Sequence, residues 1–168
     1  MYQYECYCHE WHESKTRSAH CRHIAQPRLY IPTEQDYGVN RGPWVEKVEA
    51  ELLTGKRHAL LTHEGAESLA VVVFRQNPDA TNVIDIRNIS VNPDVRHRHF
   101  GSFLLHNTDH VISEVYPTGD TLMVDTKATN EQMISFLLTQ GYTEAETADL
   151  YDSGKPDIVF RKQLNVAA

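Results

Sequence analysis

The sequence has no hydrophobic run of membrane-spanning length. Its longest uninterrupted apolar stretch is Leu69 to Phe74, whereas a transmembrane helix needs about 20 apolar residues. The first residues also lack the basic and apolar regions of a secretory signal peptide. We therefore expect no membrane partner and a cytoplasmic location.

Cysteine is scarce, and neither glycine nor proline is enriched. The chain of 168 residues contains 3 Cys, 8 Gly and 7 Pro, which excludes a disulfide framework, a collagen-like repeat and a low-complexity chain. Hydrophobic residues make up 40% and charged residues 23%, as in ordinary globular proteins. Since single domains are typically about 100 to 150 residues long, we expect one domain spanning residues 1–168.

An excess of basic residues is also missing, because the formal net charge is −7. Residues 107–168 hold ten acids and four bases and therefore carry −6 of this charge. Nucleic-acid-binding domains are usually basic, so the overall charge disfavours a nucleic-acid partner. Two local basic stretches remain, at residues 15–28 and at Arg96-His97-Arg98-His99.

Hydrophobic periodicity predicts a mixed α/β protein. Alternation near the N-terminus indicates a strand, the following meander is typical of antiparallel pairing, and only the second half contains βαβ units. The expected fold is a single mixed sheet flanked by helices. The predicted elements, in order, are a strand at 2–9, a partly helical segment at 14–31, a helix at 43–55, strands at 57–62, 69–75 and 81–91, a helix from about 100, a strand at 121–126, a helix at 130–140 and a strand at 157–162.

The stretch from Ile89 to Leu105 contains the most informative motif. It ends a predicted strand, passes through a short basic loop and opens a predicted helix. The N-terminus of a helix attracts anions through its free N–H groups and its dipole, so this arrangement suits a phosphate. Neither the G-K-[ST] ending of a P-loop nor the three glycines of a Rossmann fingerprint is present.

At this motif the chain resembles the GNAT superfamily of acyl-CoA-dependent N-acyltransferases. The family signature is similar to V-x-P-x-x-R-x-x-G-x-G before an apolar helix, and Val91, Pro93, Arg96 and Gly101 match it in register. A second signature, an Asn that opens a helix ending in Gly and an aromatic residue, is matched by Asn130 and by Gly141-Tyr142.

The resemblance implies a GNAT-like fold with an antiparallel first half and split parallel strands at an acetyl-CoA site. The pantetheine arm would add to the edge of the strand that ends at Val91, and the pyrophosphate would lie on the N–H groups of residues 95–102. Asn130 would lie near the thioester. The residues implied in cofactor binding are Ile89, Val91, Arg96, His97, Arg98, His99, Phe100, Gly101, Ser102 and Asn130.

Two positions depart from the family pattern. His99 stands where the family usually has its first glycine, although His tolerates a left-handed backbone. Leu137 stands where many members have a tyrosine thought to protonate the leaving CoA thiolate. A thiol with a pKa of about 8.5 is already a tolerable leaving group, so water could replace that acid. The other candidates for the acid, all weak, are Tyr142, Tyr151 and Ser135.

Asp85 is the first candidate for the general base, with Glu64 second. Family members often present a carboxylate from the position six residues before Val91, and amine acetylation needs a proton acceptor. The alternative is that Asp85 pairs with Arg87 or caps a turn. The N–H of Val91, or of a neighbour, is the expected oxyanion donor.

The N-terminal region is rich in cysteine and histidine. Zinc accepts both ligand types, but the spacing matches no standard zinc finger, so we expect no metal and assign the cysteines to structural burial. The basic stretch at 15–28 is expected to be a solvated helix face. The residues concerned are Cys6, Cys8, His9, His12, His20, Cys21 and His23.

The expected function is an N-acetyltransferase that transfers acetyl from acetyl-CoA to a small-molecule or protein amine by direct attack in a ternary complex. One alternative is a catalytically weak GNAT-like module that binds acyl-CoA or a partner. Another is a toxin-type acetyltransferase acting on aminoacyl-tRNA, and a third is a metal-binding variant of the fold. The resemblance does not choose the acceptor, and it implies that a homodimer is common.

Overall fold

A computed structural model describes residues 3–7, 41–64 and 67–164. The predicted helical segment at 14–31, the basic stretch at 15–28 and the turn at Gly65 lie outside these residues. So do the side chains of Glu64 and of the N-terminal cysteines and histidines. Their expected roles stay predictions.

The described elements follow the expected order, with one additional strand. They are β1 (Gln3–Tyr7), α1 (Arg41–Leu53), β2 (His58–Glu64), β3 (Glu67–Gln76), β4 (Val83–Val91), a 3₁₀ turn (Pro93–Val95), α2 (Phe100–Val115), β5 (Thr121–Lys127), α3 (Glu131–Thr139), β6 (Thr143–Ala148) and β7 (Asp157–Gln163). No described helix is both long and apolar enough to cross a membrane.

The first of two compact units comprises residues Met1–Arg75 and Asn88–Thr108. In it β1, β2 and β3 pair antiparallel, and α1 places Val48 in a core with Leu61 and Val73. Every residue from Leu69 to Phe74 is buried, as expected for a strand covered on both faces.

The second unit comprises residues Gln76–Arg87 and Asp109–Ala168. Its strands lie in the order β4, β5, β7, β6, with β4 and β5 parallel and the other pairs antiparallel. Alternate residues on these strands form a dry core, because successive side chains of a strand point to opposite faces. This core includes Ile84, Leu122 and Phe160 at 0% exposure. The odd-numbered residues of β4, β5 and β7 face the other way.

The parallel ladder between β4 and β5 is short. It joins Val83–Ile86 to Thr121–Val124, whereas β4 continues to Val91 and β5 to Lys127. A ladder that stops in mid-strand leaves later N–H and C=O groups on that edge available to another extended partner. The mixed α/β sheet and the shortened parallel pairing confirm the fold class expected from the sequence.

The strand β6 was not predicted. Its sequence, TEAETA, has no apolar alternation, and five of its six residues are exposed. Glu and Ala are depleted in strands, so propensity gives no signal here. The strand forms because β7 offers it a ladder, with a register shift between Glu144 and Glu146.

Candidate functional site

The loop that follows β4 is held in place by its own backbone. The N–H of Asn92 donates to the carbonyl of Leu69 at 2.8 Å, and the Asn92 side chain accepts from the N–H of Asp94 at 3.0 Å. Asn92 therefore ends the strand and caps the 3₁₀ turn that opens with Pro93. The loop reaches α2 in a fixed conformation.

Two histidines in this loop have a left-handed backbone. The φ angles of His97 and His99 are 61° and 65°, so His99 adopts the conformation that suits the family's glycine. Arg98 lies between them without a positive φ. In anion-binding nests, residues of opposite φ sign follow one another and turn successive N–H groups toward one point, and we interpret this stretch as such a nest.

The available N–H donors are fewer than the sequence suggested. The N–H groups of Val95 and Arg96 already donate to the carbonyls of Asn92 and Pro93, at 3.0 and 3.3 Å, which corrects the range expected for pyrophosphate binding. Among the described residues no partner is found for the N–H groups of His97, Arg98, His99, Gly101 and Ser102. The nest and the first turn of α2 therefore supply the donors.

The basic side chains of the loop differ in their roles. Arg96 donates its Nε to the carbonyl of Val91 at 3.3 Å, which leaves its terminal nitrogens for a ligand. Arg98 and both histidines are exposed. Phe100, in contrast, is 6% exposed and anchors the start of α2, so any cofactor contact of this residue is through its backbone.

Both the oxygen and the nitrogen of the Asn130 side-chain amide form hydrogen bonds within the protein. Its Oδ1 accepts from the N–H of Met133 at 3.2 Å and thereby caps α3. Its Nδ2 donates to the hydroxyl of Thr126 at 3.3 Å. The helix predicted to open at Asn130 is confirmed, and a contact of this side chain with the cofactor stays a prediction.

A cavity of about 330 Å³ lies on the odd-numbered face of the second unit. Register places Asp85, Met123 and Arg161 in one row across β4, β5 and β7, and Asp125, Val159 and Glu146 in the next row across β5, β7 and β6. The segment after β6 contributes Leu150 and Tyr151 to the wall, and Asn77 and Arg87 complete the polar lining. The cavity thus combines carboxylates, guanidinium groups and apolar surface.

Asp85 lines this cavity while being only 5% exposed. Its Oδ1 accepts a hydrogen bond from Asn77 Nδ2 at 2.9 Å. Asn77 in turn accepts at Oδ1 from the N–H groups of Asp79 and Ala80. A side chain fixed by the turn before β4 therefore orients the carboxylate, and it is Asn77, not Asp85, that caps this turn.

Arg87, Asp125 and Tyr151 form a hydrogen-bonded cluster in the cavity wall. Tyr151 donates to Asp125 Oδ2 at 2.7 Å, and Arg87 lies 3.3 Å from the Tyr151 hydroxyl and 3.5 Å from Asp125 Oδ1. Burial, followed by the hydrogen bond to Asp125, raises the pKa of Tyr151. The phenol therefore stays protonated at neutral pH.

Burial works against the charge of Arg87, but the neighbouring Tyr151, Asp125 and Asp85 outweigh it and raise the pKa of Arg87. The guanidinium consequently stays cationic. Arg87 pairs with Asp125 through this cluster. Asp125 was not foreseen from the sequence, because only the strand register brings it into the cavity wall.

Tyr142 lies in the core and does not support its expected role as an acid. It is 2% exposed, and within the described part of the chain its buried hydroxyl has no hydrogen-bond partner. Burial, with the charge of Asp109, raises the pKa of Tyr142. Leu137 is also fully buried, as a leucine on the inner face of α3 should be.

The comparisons with known proteins agree on the fold. No protein-family model and no curated protein matches the sequence, but many solved structures match the chain. A GNAT family acetyltransferase from Elizabethkingia anophelis with acetyl-CoA bound has a TM-score of 0.64 and 14% identity, over 85% of this chain and 95% of that one.

Two further structures give the same result. The IAA acetyltransferase from Bacillus cereus has a TM-score of 0.63 and 15% identity, over 83% of this chain and 96% of that one. The ribosomal-protein-S18-alanine N-acetyltransferase from Escherichia coli has a TM-score of 0.57 and 23% identity, over 73% and 79%. At these identities the likeness is one of fold: the chain has the GNAT fold.

Proposed function

We propose that this chain is an N-acetyltransferase that transfers acetyl from acetyl-CoA directly to an amine in a ternary complex. The observation that carries the proposal is the loop after β4. There, five N–H groups have no partner among the described residues, His97 and His99 have a left-handed backbone, and Arg98 between them is exposed. The GNAT fold supports it, since solved structures of this fold include one with acetyl-CoA bound.

The residues present fit the diphosphate of a CoA. Five N–H groups of the stretch from His97 to Ser102 can donate to phosphate oxygens, and Arg96 and Arg98 add charge-assisted hydrogen bonds. The edge of β4 from Asn88 to Val91, including Ile89, is left unpaired by β5 and suits an amide-containing arm bound as an added strand.

When bound, acetyl-CoA supplies a carbonyl carbon to which the amine nitrogen bonds, while the C–S bond breaks and the sulfur leaves with its electron pair. Asp85 accepts the amine proton at a carboxylate oxygen, directly or through a water. Its bond from Asn77 keeps the carboxylate oriented toward the cavity. The acceptor therefore occupies the cavity, with its amine near Asp85.

Position 137 on α3 supplies no acid for the departing sulfur, since Leu137 is an aliphatic core residue, and Ser135 on the same helix stays a weak candidate. Tyr151 lines the cavity, but its proton is donated to Asp125. We therefore assign protonation of the thiolate to solvent, which a leaving group with a pKa of about 8.5 permits.

The test uses two measurements on the same protein. Saturation with acetyl-CoA at about 100 times its dissociation constant should stabilise the fold by about 2.7 kcal/mol, and amine-dependent thiol release should follow. Asp85→Asn should lower kcat by about 100-fold or more while leaving acetyl-CoA affinity unchanged. Asp79→Asn, the same change at an exposed position outside the cavity, is the matched control.

Leu137 favours one second candidate, an acyl-CoA-binding module without turnover. Stabilisation by acetyl-CoA combined with no thiol release over a broad amine panel would select that function. Absence of any stabilisation would refute both.

A further inference from the structure

The charged side chains of the cavity fall into a paired set and an unpaired set. Asp85 is bound by Asn77, and Asp125 is bound by Tyr151 and faces Arg87. These groups satisfy one another before any ligand arrives. They form a fixed wall of the cavity. Of these groups, Asp85 is the one that we expect to act on the acceptor, by accepting its proton.

Glu146 and Arg161 form the unpaired set. Both line the cavity, and in the described ranges 41–64 and 67–164 neither side chain has a hydrogen bond or an ion pair. They lie on the adjacent strands β6 and β7, where Glu146 faces Val159, two residues from Arg161. Diagonal neighbours of this kind are about 7 to 8 Å apart, but no ion pair joins these two exposed side chains in the described part of the chain, so both charges are open to a ligand.

We propose that the acceptor is a diamino acid, whose reacting amine lies at Asp85 and whose far end carries both a carboxylate and a second ammonium. Arg161 binds the carboxylate, because a guanidinium recognises carboxylates through paired N–H donors. Glu146 binds the second ammonium. This inference rests on the proposed function and specifies the acceptor of that same cavity.

The sheet geometry sets the length of such an acceptor. Asp85 pairs with Met123, and Met123 pairs with Arg161, so two strand spacings, about 10 Å in all, separate the ends of this row. Part of that distance is taken up by the side chains. Carbon–carbon bonds are about 1.5 Å long and advance an extended chain by less than that, so an aliphatic spacer of roughly five carbons fits the remainder. Met123 between them, with Val159 and Leu150, provides apolar surface for the spacer.

The probes are four amines with the same five-carbon chain: L-lysine, 6-aminohexanoate, 1,5-diaminopentane and pentylamine. They carry at the far end both charges, the carboxylate alone, the ammonium alone and no charge. Thiol release is followed with saturating acetyl-CoA. The expected kcat/KM is highest for L-lysine, and removal of either charge lowers it by up to about five-fold, the range of one exposed ion pair.

Two variants assign the charges to residues. Arg161→Gln should remove the higher kcat/KM of the probes that carry a carboxylate. Glu146→Gln should remove the higher kcat/KM of the probes that carry a second ammonium. The kcat/KM for pentylamine should be unchanged in both variants. Lys155→Gln and Glu144→Gln make the same charge changes at exposed positions outside the cavity and should change no ratio.

The outcomes separate this inference from the proposed function. Equal kcat/KM for all four probes, or a preference for 1,5-diaminopentane, overturns the diamino acid assignment and leaves the acetyltransferase intact. The same holds if acetyl-CoA stabilises the protein and other amines react while these four do not. Failure of acetyl-CoA to stabilise the protein overturns both.

Discussion

Replacement of Lys127 by Met should strongly destabilise the second unit. Lys127 Nζ lies 2.9 Å from Asp157 Oδ2 and 2.9 Å from the hydroxyl of Ser153, and the two charged side chains are only 11% and 0% exposed. Met keeps most of the length of the side chain and removes its charge. Asp157 is then left as a buried carboxylate without a counter-charge.

The expected cost follows from that burial. Removal of one partner of a buried ion pair costs about 3 to 5 kcal/mol, and at about 2 to 4 °C per kcal/mol for a protein of this size the melting temperature should fall by roughly 10 °C. Thermal unfolding followed by circular dichroism at pH 7 measures it. Lys155→Met, at an exposed position in the segment between β6 and β7, should change stability by less than about 0.5 kcal/mol.

The double variant Lys127→Met with Asp157→Asn tests the cause. Because both charges are removed together, no unpaired charge remains, and stability should return to within about 2 kcal/mol of the original protein. If the double variant melts no higher than Lys127→Met alone, or if Lys127→Met costs less than about 1 kcal/mol, the unpaired carboxylate is not what destabilises the fold.

Two further predictions concern single side chains. Tyr142→Phe removes a buried hydroxyl that has no partner among residues 3–7, 41–64 and 67–164, so it should keep or raise stability, by up to about 1 kcal/mol, with kcat unchanged. A large fall in kcat would instead make this hydroxyl catalytic. His99→Gly relieves a left-handed backbone that costs about 1 to 2 kcal/mol, and calorimetry should find CoA affinity equal or higher. Markedly weaker binding would mean that the imidazole itself holds the cofactor.

The sequence predicted those parts of the fold in which the hydrophobic periodicity agrees with the residues that begin and end an element. In α2, apolar residues recur at helical spacing from Phe100, and in α3 a cap at Asn130 and a left-handed Gly141 mark the ends. The strand β6 gave no such signal, since Thr, Glu and Ala at an exposed edge follow no apolar pattern. Pairing with β7 decides its conformation, and a local sequence pattern does not predict pairing with a strand that follows later in the chain.

The candidate site divides in the same way. Residues of the loop after β4 form a contiguous motif, so their positions could be predicted, including the left-handed His99. The cavity instead collects side chains from four strands and a connecting segment. Asp125, Glu146 and Arg161 become neighbours only through the register of β5, β6 and β7, which single-sequence patterns do not encode. The burial of Tyr142 could not be predicted either, because adjacency to a motif says nothing about burial.

Hydrogen bonds within the protein hold the segment between β6 and β7 in place without any acceptor. The Asp149 carboxylate accepts from the N–H groups of Ser153 and Gly154 at 2.9 and 2.7 Å, and the first of these bonds does most to lower the pKa of Asp149. Lys127 holds the segment at Ser153 and stacks its ammonium 5.3 Å from the Tyr151 ring centre.

A wall that is already ordered loses little conformational entropy when a ligand binds. Capture of the acceptor therefore need not wait for this segment to close, and its rate should follow diffusion and charge steering more than loop motion. Salt screens the charges of the cavity and of the acceptor, so salt concentration should change how quickly the cavity fills.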